Sequence, residues 1–152
     1  MAAPKKAPRR TERSFAFKVL YGLCFSPANS EEELRAAFSR SPDKPEHMDD
    51  ESGYAWRLVV NVWKNRESLD RAITGFSQNW RVERLGKVEA TLLRIAFFEL
   101  MQDDPDVPPK VAINEAVELS KQYSDEKSRS FVNGILDAAA KAREAGTFGR
   151  SG

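Results

Sequence analysis

A chain of 152 residues, 41% hydrophobic and 31% charged with a formal net charge of +1, has the makeup of a folded globular protein and not of a disordered one. Its single cysteine, Cys24, excludes an internal disulfide framework, and one cysteine with one histidine, His47, cannot supply an ordinary zinc site. No apolar run is long enough to span a membrane and no apolar segment follows the basic N-terminus, so neither a membrane partner nor a secretory signal is expected; the lone cysteine points to the cytoplasm.

In chain order, residues 1–8 read as a basic flexible arm. Pro8 suits the first position of a helix, where its missing N–H would have no partner. Phe15, Ala16, Val19 and Leu23 recur at helical spacing to about Phe25, where Ser26 and Pro27 end the helix. Ser30 and Glu33 have the spacing of a capping box ahead of a short helix with Leu34, Ala37 and Phe38. Residues 39–50 hold two prolines and mixed charge and read as a loop. A longer helix carries Tyr54, Leu58, Val59, Val62 and Trp63; another carries Leu69, Ala72, Ile73 and Phe76 and ends near Trp80. The fifth, with Leu85, Val88, Leu92, Leu93, Ile95, Ala96 and Leu100, is apolar on more than one face and belongs at the centre of a bundle. After a break at residues 103–109, helices from about Pro109 to Tyr123 and from Arg129 to Arg143 complete the chain, and residues 144–152 should fray. No segment alternates as a strand would, so the fold class is all-α, with residues 9–143 as one domain.

Charge is uneven along this chain. The first 20 residues hold Lys5, Lys6, Arg9, Arg10, Arg13 and Lys18 against Glu12, a balance of +5 that leaves −4 for the rest. Arg9 and Arg13 share a helix face. Cations at a helix N-terminus oppose the macrodipole at about 0.3–1 kcal/mol each. The arrangement makes sense if an anion sits there, held by guanidinium forks and by the N–H groups of the first turn. A nucleic acid backbone is such a polyanion. The competing reading is a solubilising tail.

Catalytic chemistry has little to build on. His47 lies in a Pro-flanked acidic loop and reads as solvated, and no Ser, His and acid set can be assembled around it. Asp49, Asp50 and Glu51 read as acids favouring the N-terminus of the next helix. Asp103 and Asp104 lack the glycine and ligand spacing of a calcium loop. No glycine-rich phosphate loop is present. No catalytic residue, metal or cofactor is therefore expected, and the chain does not read as an enzyme.

Several segments resemble one family. DVPPKVAINEAVELSKQYS, beginning at Asp106, followed by SFVNGILD from Ser130, is similar to the paired C-terminal motifs of the NusB family of bacterial transcription antitermination factors. RRTERSFAFKVLY, Arg9 to Tyr21, resembles that family's arginine-rich opening. ERLGKVEATLLRIAFFEL, Glu83 to Leu100, and DESGYAWRLVVNVWKNRESLDRAI, Asp50 to Ile73, resemble its central helices. The likeness covers about residues 9–143. Departures are Thr11 and Glu12, which weaken the positive potential, Asn61 in place of a glycine, Pro109 in place of a tyrosine, and Lys127 where acidic or polar residues are common.

The resemblance implies about seven helices in two packed bundles. It implies binding of the boxA RNA of nascent ribosomal RNA transcripts, together with the ribosomal protein NusE, within an RNA polymerase antitermination complex that contains other Nus factors. Lys5, Lys6, Arg9, Arg10 and Arg13 would contact RNA, Phe131 would stack on it from the start of its helix, and Lys127 would add charge from the preceding loop. Tyr21 and Glu89 would face the protein partner. Each has a structural alternative: Tyr21 as a core-edge aromatic, Phe131 as a hydrophobic cap. Asn114 and Asn133 read as core or capping residues, Arg94 and Glu99 as pairing with neighbouring helices. Gly134, which costs about 1 kcal/mol in mid-helix relative to alanine, reads as a close helix approach. Two other readings stay open. One is a homodimeric or partner-docking helical module with a passive basic tail. The other is the RNA-binding portion of a ribosomal RNA methyltransferase.

Overall fold

The computed structural model describes residues 8–45, 48, 53–77, 85–102 and 104–148. Lys5, Lys6, His47, Asp49, Asp50, Glu51, Trp80 and Asp103 lie outside the described residues. Among the described residues there are seven α-helices and no strand. They fall into two compact units, Met1–Lys64 and Asn65–Gly152.

The first unit holds α1 (Arg9–Leu23), α2 (Glu31–Ser39) and α3 (Tyr54–Lys64). On α1 the buried residues Phe15, Ala16, Val19 and Leu20 recur at helical spacing, and α1 packs against α3, whose Leu58, Val59 and Val62 are buried. Phe38 of α2 joins the two, edge-to-face with Phe15 at 5.1 Å and with Trp56 at 5.3 Å. The α2 start is capped as its sequence predicts: the Glu33 N–H donates to Ser30 Oγ at 3.1 Å. The Glu33 carboxylate reaches back to the N–H of Asn29, one residue earlier than in the usual reciprocal box. The Trp63 indole N–H donates to the carbonyl of Ala28 at 3.3 Å and ties the α1–α2 connection to α3.

The second unit holds α4 (Arg66–Phe76), α5 (Lys87–Met101), α6 (Pro109–Tyr123) and α7 (Glu126–Glu144). Every residue of α5 from Ala90 to Leu100 is buried except Arg94, and α5 packs against α4, α6 and α7. This is the central helix that its all-round apolarity predicts. Arg94 forms a two-bond fork on Asp70 of α4, at 2.7 and 2.9 Å. Pro109 occupies the first position of α6 after Pro108, and the buried Val107 anchors the approach.

Several boundaries and roles differ from expectation. Pro8 is the N-cap of α1 and not its first residue, because its ψ of 148° is extended. The helix ends at Leu23, two residues before Phe25. α5 starts at Lys87 and leaves Leu85 in the approach. α7 starts three residues earlier than its apolar pattern suggests, because the Asp125 side chain caps it by accepting the Ser128 N–H at 2.8 Å. Lys127 is consequently in the first turn of α7 and not in a loop, and Phe131 is in its second turn and not at its start. The expected frayed tail is tied down as far as Phe148, whose ring stacks on Phe76 at 6.0 Å and lies 5.6 Å from Phe97. Gly134 is exposed and a Cβ there would meet nothing within 4 Å, so among the described residues no other helix approaches it. Asn114 and Asn133 are exposed and are neither core nor capping residues, because the buried stripe of α6 is Ala112, Ala116, Leu119 and Ser120 and that of α7 is Val132, Ile135, Leu136 and Ala139.

Candidate nucleic-acid interface

Two of the three α1 arginines, Arg9 and Arg13, converge on one aromatic ring of α3. The Arg9 guanidinium lies 4.2 Å from the Tyr54 centroid and that of Arg13 5.8 Å, which the shared helix face of residues 9 and 13 predicts. Arg57, one turn along α3, lies 6.0 Å from the same ring. Their exposures differ. Arg10 is exposed, Arg9 is half-buried, and Arg13 is only 2% exposed. Arg13 is therefore packed inside the α1–α3 contact and does not face solvent beside Arg10. Glu12 does not sit idle among them: its carboxylate accepts the Ala55 N–H at 3.4 Å, at the N-terminus of α3. A carboxylate there complements the helix dipole and satisfies an N–H that has no intrahelical partner.

At the other end of α1, Phe17, Tyr21 and Phe25 form a ladder at i, i+4 and i+8. Tyr21 is half-buried, stacked parallel to Phe17 at 5.9 Å and edge-to-face with Phe25 at 5.2 Å. Phe25 is 61% exposed, the most open large hydrophobic side chain among those described. Cys24 follows α1 directly, half-buried, its thiol donating to the Leu20 carbonyl at 3.7 Å.

In the second unit a shallow groove at the start of α7 is lined by Asp125, Glu126, Lys127, Ser130 and Phe131. Lys127 and Phe131 are thus together, at helical spacing i and i+4, with Lys127 exposed and Phe131 half-buried. The Asp125 carboxyl is held below the usual carboxylate range, first by the Ser128 backbone N–H, then by the Ser128 side chain and by Lys127 and Arg129. Glu89, in the first turn of α5, accepts the Ser124 hydroxyl at 3.1 Å, just ahead of this groove. Its second oxygen lies against Gly86, so close that a Cβ at 86 would collide with it. Glycine at 86 leaves room for that carboxylate.

Sequence reasoning missed Tyr54, Arg57 and the groove acids. Tyr54 and Arg57 lie more than 40 residues from the α1 arginines, so no local spacing connects them. Asp125 had a signal that could have been used, since an aspartate just before a helical run is an N-cap pattern.

Residues 10–141 match the sequence profile of the NusB family. A transcription antitermination protein NusB of Nitratidesulfovibrio vulgaris is 56% identical to the chain and the match covers 93% of each. A solved NusB structure from T. maritima superposes with a TM-score of 0.77 at 34% identity, covering 90% of this chain and 93% of that one. A solved complex of the antitermination factors NusB and NusE with dsRNA matches with a TM-score of 0.69 at 31% identity, over 88% of this chain and 96% of its counterpart. On a profile match across most of its length and on identities well above 30% over nearly the whole chain, this protein belongs to the NusB family.

Proposed function

We propose that this protein is an antitermination factor that binds the boxA RNA of nascent ribosomal RNA transcripts, together with the ribosomal protein NusE. It thereby joins other Nus factors on RNA polymerase in the cytoplasm and promotes read-through. It acts by assembly and not by catalysis. The observation that carries this reading is the exposed Arg10 beside Arg9 on the first turn of α1, an end of the helix where an anion is favoured. That such a protein is found with NusE and dsRNA in a related complex supports it. Lys5, Lys6, Arg9 and Arg10 hold phosphates, and Arg13, packed under Tyr54, sets the face that presents them. Phe131 stacks on an unpaired base beside Lys127 in the α7 groove, a contact worth about 1–3 kcal/mol. Tyr21, with the open edge of Phe25, and Glu89 serve the protein partner.

Fluorescence anisotropy of labelled boxA RNA, beside a scrambled RNA and with or without NusE, tests this. Selective binding that tightens with NusE and weakens about tenfold or more in Arg10→Ala is the expected outcome, in keeping with the loss of about 1.5–3 kcal/mol when a charged hydrogen bond is removed. Equal, weak binding to both RNAs with no response to NusE would replace it by a helical docking module with a passive tail.

A further inference from the structure

We infer that Arg57 of α3 is a phosphate-binding residue, so that the polyanion surface is shared between two helices and is not the property of the N-terminal segment alone. The inference rests on the RNA reading above. Three guanidiniums, of Arg9, Arg13 and Arg57, lie within 4.2 to 6.0 Å of the single Tyr54 ring. Two come from α1 and one from α3, and α1 and α3 are packed together within one unit. All three guanidiniums therefore lie around one ring, and α3 contributes Arg57 to the same neighbourhood as the α1 arginines. Arg13 is enclosed, whereas Arg57 is exposed, so it is Arg57 that can present a fork to solvent.

Its place on α3 is electrostatically adverse. Arg57 is the fourth residue of the helix, near the positive end of the dipole, and beside two other cations. The carboxylate of this α1 segment, Glu12, is directed to the Ala55 N–H. A position chosen for the stability of α3 would carry an acid. An arginine there is consistent with a bound polyanion, whose phosphates would meet α3 as well as α1.

Two variants of the full chain separate this from a structural role. Arg57→Gln removes the charge and Arg57→Glu reverses it. If the ring contact of Arg57 were only structural, both would lower the melting temperature and leave RNA affinity alone. A phosphate contact predicts the reverse. The melting temperature of Arg57→Glu holds or rises, because a glutamate near the start of α3 suits the dipole. Affinity for boxA RNA with NusE falls about threefold or more in Arg57→Gln and further in Arg57→Glu. The salt slope becomes about one unit shallower in Arg57→Gln, and by a similar factor on boxA and scrambled RNA, as for a backbone contact. RNA affinity and salt slope equal to the unmodified chain in both variants would overturn the inference while leaving the RNA reading standing if Arg10→Ala still weakens binding. An unmodified chain that binds no RNA would overturn both.

Discussion

Glu12 lowers the positive charge of the arginine-rich segment, yet its carboxylate accepts the Ala55 N–H at the start of α3. One side chain thus serves the contact between two helices at the expense of the surface beside it. Glu12→Gln keeps the shape and removes the charge. It should lower stability by about 0.3–1 kcal/mol, the range for a charge at a helix end, in a chemical denaturation series. The same substitution should tighten binding to any RNA, selective or not, because the field around Arg9 and Arg10 becomes more positive. Loss of RNA affinity in Glu12→Gln would mean that Glu12 holds the arginines in place and does not merely weaken their field. Arg94 is a simpler case: its fork on Asp70 joins α4 to α5, the neighbouring-helix pairing that its place in the sequence suggested.

Helix positions were readable wherever an apolar stripe recurred with little interruption. The bounds of α6 match their pattern, and the all-round apolarity of α5 placed it centrally. The start of α7 was not readable that way, because Glu126, Lys127, Ser128, Arg129 and Ser130 show no apolar period, and Asp125 sets the boundary instead. Gly134 and Asn133 were misjudged for a related reason. They belong to a recurring motif, but Val132, Ile135, Leu136 and Ala139 take the core face and leave both outside it. Phe148 stood alone among small and polar residues, so no pattern marked its packing on Phe76 and Phe97. The Asp125 cap makes α7 sensitive to acid. Its carboxyl titrates below the ordinary value of about 3.9. The stability it contributes is complete above that value and is lost as pH falls through its depressed folded value. Asp125→Asn retains a capping oxygen without the titration, so its stability should be nearly that of the unmodified chain at neutral pH and fall less as the pH drops below the ordinary carboxylate value of about 3.9. Circular dichroism across that range checks it, and parallel acid limbs for the two proteins would count against the cap.

The molecule carries +5 in its first 20 residues and −4 in the remainder, so long-range attraction and repulsion of RNA nearly cancel while the local field at α1 does not. The protein alone should accordingly bind RNA weakly. With Lys5, Lys6, Arg9, Arg10 and Arg57 as phosphate contacts, the log–log slope of affinity against salt should be about −3.5 for a single strand. Anisotropy titrations at several potassium chloride concentrations measure it, and a slope near zero would sever binding from the basic segment. The site was legible in the sequence to the extent that its charges are adjacent along the chain. Its second half, Tyr54 and Arg57, depended on folding to bring α3 against α1.

The thiol at the end of α1 has a practical use. The chain has one cysteine, and Cys24 lies next in sequence to the open ring of Phe25 and three residues from Tyr21. A single maleimide dye would therefore attach at one defined place, with no cysteine-free background to engineer first. Its emission would report on whatever covers that aromatic edge, in real time, while the arginines at the opposite end of the same helix stay unlabelled.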